Sequence, residues 1–88
     1  MYKTKLLNKF YKALFSTDFN DFGTETQNMK TECLATCLDF YSWANKLVDT
    51  FAKEYDVDRD QLLKDMESDS NFMEDLLFEY DNLVDMLD

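Results

Sequence analysis

The chain has 88 residues, 45% of them hydrophobic and 16% aromatic, with nine Lys and Arg against nineteen Asp and Glu, one Gly, two Cys and neither Pro nor His. That length allows one domain, 1–88, with enough apolar content to bury a core despite the charge. The formal charge of −10 opposes direct binding of nucleic acid or an anionic membrane, and the missing His removes the usual general base and the commonest metal ligand, so no enzyme, cofactor or metal site is expected.

Residues 2–15 place Leu6, Leu7, Phe10, Tyr11 and Leu14 at helical spacing, with Lys5, Lys9 and Lys12 opposite. With Lys3 they make a basic first helix, which is expected to sit against the acidic end of its own chain in preference to a membrane or nucleic acid. Residues 16–24 hold the only Gly and many side chains that bond their own backbone, so they form a loop tucked down by Phe19 and Phe22.

One long central helix is predicted over 25–55, opened by Thr24 and Gln27 as a capping box. Met29, Cys33, Cys37, Phe40, Ala44, Leu47, Phe51 and Tyr55 form its apolar stripe, widened by Leu34, Leu38, Tyr41 and Val48. Trp43 at the stripe's edge is expected in the core, and Asp39 on the solvent side. Cys33 and Cys37 lie one turn apart with no further thiol or imidazole in the chain, which suits buried reduced thiols better than zinc or a disulfide.

A third helix starts near Asp58, with Gln61 spaced for a second capping box and Leu62, Leu63 and Met66 facing inward. Asp56, Asp58, Asp60 and Glu67 match the carboxylate positions of a calcium loop, yet Gln61 stands where that loop needs Gly. A helix start with Asp at its N-cap accounts for the same residues, so calcium is not expected.

After a break at Ser68–Asn71, the last helix, 71–87, carries the most specific pattern. At ~100° per residue Phe72, Met73, Leu76, Leu77, Tyr80, Leu83, Val84 and Leu87 fill a core arc, and Glu74, Asp81, Asp85 and Asp88 gather opposite it with Asp75 and Glu79 beside them. Six acids over residues 71–88, ~27 Å of helix, give one charge per ~4.5 Å, comparable with the ~3.4 Å phosphate spacing of one DNA strand. Phe78 sits among the acids, an aromatic ringed by polar groups as in interface anchors. Residues 54–88 hold thirteen acids and two bases, a net −11.

The expected architecture is all-α: a small helical bundle with one long central helix, an N-terminal helix and a C-terminal helical hairpin, to which a homodimer could add core. The expected partner surface comprises Asp65, Glu67, Asp69, Glu74, Asp75, Phe78, Glu79, Asp81, Asp85 and Asp88. It would meet a basic protein, as an acidic decoy in the groove of a nucleic-acid-handling protein. In size, charge and carboxylate-lined helix the chain resembles the small acidic DNA mimics with which phages and mobile elements oppose restriction or CRISPR systems. No family motif is matched. The alternative is a helical adaptor docking through aromatic and Met side chains. No run reaches the ~18 apolar residues of a membrane span and no signal-peptide core precedes the first helix, so the cytoplasm, a host's if the chain is viral, is the expected location.

Overall fold

Short polar side chains decide where the helices of this chain begin, because a first turn leaves backbone N–H groups without partners inside the helix. The computed structural model describes residues 2–15, 24–32, 34 and 39–87, the side chains at 24–27 and 87 excepted. It is all-α, with α1 (Lys5–Phe15), α2 (Thr24–Glu32), α3 (Phe40–Tyr55), α4 (Arg59–Ser68) and α5 (Ser70–Leu87). Leu7 N–H donates to Thr4 Oγ1 at 3.1 Å and Ser42 N–H to Asp39 Oδ1 at 2.8 Å. Asp58 Oδ1 accepts from Asp60 N and Gln61 N at 3.0 and 3.2 Å, and Asp69 Oδ1 from Phe72 N at 3.2 Å. Four helices therefore start on a side-chain oxygen.

Asp39 corrects the single long helix expected over 25–55. Its backbone is extended (φ −153°, ψ 172°) and its carboxylate folds onto Ser42 N–H, so α3 starts afresh there, separate from α2. Asp competes with the helix by bonding nearby backbone, and here that capping role overrides the continuous apolar stripe. Cys33, Cys37 and Leu38 lie outside the described residues, as do Phe19, Phe22, Asp88 and the side chains of the Thr24/Gln27 pair. The two helices are fastened by Trp43, whose Nε1–H donates to the Lys30 carbonyl at 3.0 Å. That carbonyl is in the last turn of α2, where helical partners run out. Trp43→Phe keeps most of the buried ring and orphans this oxygen, so we expect a loss of about 1 kcal/mol in urea unfolding with the helical circular dichroism unchanged.

At its other end α3 stops at Asp56, which adopts the left-handed conformation (φ 54°) and donates its N–H to the Ala52 carbonyl. Asp and Asn reach this region more readily than most residues. Asp56 thus closes one helix and Asp58 opens the next, so these carboxylates serve two helix ends. Gln61 donates from Nε2 to Asp65 Oδ1 at 2.8 Å instead of turning back to Asp58, leaving the capping box half made.

The core takes Leu7, Phe10 and Leu14 from α1, Trp43, Leu47 and Phe51 from α3, Leu62 and Met66 from α4, and Phe72, Leu76 and Leu83 from α5. Phe10 joins three helices, its ring 4.9 Å from Phe51 and stacked 5.5 Å from Phe72. Tilted and offset aromatic pairs at this spacing add specificity to plain burial. Trp43 is fully buried, 5.2 Å from Tyr80, as its stripe position predicts.

Candidate protein-binding face on the last helix

Nine carboxylates and one aromatic side chain can serve a surface only if the fold leaves them there, and it divides them. Asp69, expected to face a partner, is 2% exposed. It sits between α4 and α5, where Oδ1 caps α5 through Phe72 N and Oδ2 accepts from Lys3 N at 2.9 Å. These backbone N–H donors, that of Lys3 foremost, hold its carboxyl below the usual range against the opposing effect of burial. Asp69 is therefore a structural junction and leaves the candidate surface.

Asp75 accepts a hydrogen bond from the Tyr2 hydroxyl. Burial and then this carboxylate push the Tyr2 phenol far above its ordinary value. The Tyr2 ring packs edge-on to Phe72 at 5.1 Å and against Tyr11 at 5.3 Å, so Tyr2 and Lys3 form a strap over the start of α5. Glu79 turns toward α2, 3.9 Å from Lys30 Nζ. Lys30 also lies 5.2 Å from the Phe15 ring centre, and desolvation lowers its pKa although Glu79 works the other way. Asp65 is engaged by Gln61, and Glu67 is exposed on α4, away from the helix that bears most of the group.

What remains together is Glu74, Phe78, Asp81 and Asp85, all exposed on one side of α5. On the helical wheel they span ~60°, and Glu74 to Asp85 covers ~16 Å along the axis. Ion pairs among the described residues join Lys30 to Glu79 and Arg59 to Asp49 and Asp60, and none involves these three acids. Phe78 is 69% exposed between them. The carboxylate row is thus three residues over about three turns, sparser than the six-acid row read from sequence.

The first helix does not cover it. The expected pairing of the N-terminal lysines with the acidic helix is replaced by other contacts: Lys3 Nζ donates to the Ser68 carbonyl at 2.8 Å, and Lys9 lies 4.6 Å from the Tyr55 ring centre. Lys5 and Lys12 are exposed. α1 packs on α2 and α4, and its Lys9 reaches Tyr55 at the end of α3.

Sequence reasoning also placed Leu77 and Tyr41 in the core, and both are exposed, at 44% and 69%. Leu77 lies at the end of the apolar arc, and Tyr41 in the first turn of the newly started α3, so neither has a helix packed over it. With Phe40, Met73 and Glu74 they line an open groove of about 380 Å³ between the start of α3 and the middle of α5. Its walls are held by Phe40, whose ring meets Tyr80 edge-on at 5.6 Å. Periodicity gave no sign of this groove because its existence depends on where α3 begins.

Among the described residues no group of three or more His, Cys, Asp or Glu is placed to hold a metal ion, and no helix is long and apolar enough to cross a membrane. No family model, curated protein or solved structure matches the chain.

Proposed function

We propose that this protein is a non-enzymatic inhibitor that uses the outer side of α5 to occupy the basic groove of a nucleic-acid-handling protein, with Glu74, Asp81 and Asp85 in place of phosphates. The observation that carries the reading is that these carboxylates stand in solvent and form no ion pair with a described Lys or Arg. Two of them, Asp81 and Asp85, are also unfavourable to their own helix. Asp85 lies in its last turn, where the partial negative charge of the carbonyls repels acid, and Asp81 repels Asp85 at i,i+4. Groups that weaken the fold and find no partner in it are explained by a partner outside it. Phe78 in their midst supplies the desolvated anchor that charge alone lacks.

Steering by the field of a net −10 molecule makes such association fast and salt-sensitive. The immobilised protein should retain basic, nucleic-acid-binding proteins from a cell lysate at ~50 mM salt and release them by ~200 mM or on adding excess duplex DNA. Retained proteins that are not basic, or that DNA fails to displace, would overturn the decoy reading. The second reading, an adaptor, draws on the exposed Tyr41, Leu77, Phe78 and Met86. It calls for retention that salt hardly alters and that Phe78→Ala abolishes.

A further inference from the structure

Resting on the reading that α5 meets a basic protein, we infer that the groove between α3 and α5 receives the apolar side of a basic amphipathic helix from that partner. Met73 and Leu77 are one turn apart and face Phe40 and Tyr41 across the groove, so its floor and walls are apolar and formed before binding. Glu74 sits on the rim, and Asp81 and Asp85 continue the acidic edge for two more turns. A helix laid along α5 would put apolar side chains at i and i+4 into the groove and Lys or Arg beside Glu74, Asp81 and Asp85, the helix-in-groove mode of recognition.

Charge selects this occupant over a second copy of the chain. A two-fold contact through the same face would set Glu74, Asp81 and Asp85 against their counterparts in a molecule of net charge −10. Nucleic-acid-binding proteins commonly present a basic helix to their ligand, so the occupant fits the same class of partner as the acidic row. The groove adds direction: charge alone would accept any cationic surface, whereas two apolar side chains one turn apart accept a helix in one register.

The test uses two Leu/Lys peptides of equal length and composition, one with Leu at i, i+3, i+4 and i+7 and one scrambled, titrated into the labelled protein at low salt. The amphipathic peptide is expected to shift the amides of Tyr41, Met73 and Leu77 and to bind at least ~10-fold tighter than the scrambled one. Leu77→Asp and, separately, Tyr41→Asp should remove that advantage with the helical circular dichroism intact, since both positions are already exposed. Equal binding of the two peptides, unaltered by either substitution, would overturn the groove inference and leave the acidic face standing. No binding of either peptide would end both. Self-association that Leu77→Asp abolishes would assign the groove to a second copy and overturn the inference.

Discussion

Replacing Asp69, the buried charged residue among those described, with Ala is expected to lower the melting temperature by roughly 10 °C or more. One buried carboxylate serves two tasks: it caps α5 through Phe72 N, and it accepts from Lys3 N, whose chain segment carries Tyr2 onto Phe72. Ala leaves two backbone N–H groups beside the core without an acceptor, and such orphaned groups cost more than the net worth of the bonds themselves. Asn keeps one acceptor and should lose less. The charge state gives a second handle. Because the folded-state pKa is held below that of the unfolded chain, the stabilisation is present above the unfolded value, near pH 4, and is lost as pH falls through the folded one. Asp69→Asn should therefore flatten the pH dependence of stability below about pH 4. An unchanged acid profile would show that the carboxylate is not held as described.

The same residue shows where sequence reasoning stops. Spacing along α5 correctly put Phe72, Leu76 and Leu83 inside and Glu74, Phe78, Asp81 and Asp85 outside, because a helical wheel depends only on residues that the helix itself orders. Asp69 looked like one more surface acid, since the backbone group that buries it lies 66 positions away. Asp75 and Glu79 followed the wheel but acquired Tyr2 and Lys30 from other elements. Leu77 and Tyr41 failed for a related reason. The width of a buried stripe is set by the neighbour packed on it, and Asp39 cut that neighbour short. Local bonding was legible at Asp58, where cap and helix pattern agreed, and misread at Asp39, where an uninterrupted apolar stripe argued for continuation.

The joint variant E74K/D81K/D85K is expected to weaken capture of a basic partner by ~100-fold or more while melting no lower than the parent chain. The two effects have one cause. In the free protein Asp81 and Asp85 repel each other, Asp85 meets the carbonyl end of α5, and no described cation answers these acids. Lys at position 85 would instead favour that helix end, so a rise of roughly 1–5 °C is the expected direction. In the complex the same reversal sets like charge against like, which slows association and steepens dissociation. Phe78→Ala should separate anchor from charge: it leaves the salt dependence of binding in place and weakens the complex by ~10-fold or more at every salt concentration. Measured together by calorimetric melting and by titration against the captured partner, a fall in melting temperature would mean that the acids are bonded within the fold after all. Retained affinity would place the interface elsewhere on the molecule. A gain in stability bought with the loss of binding is the pattern expected of residues kept for function at the fold's expense.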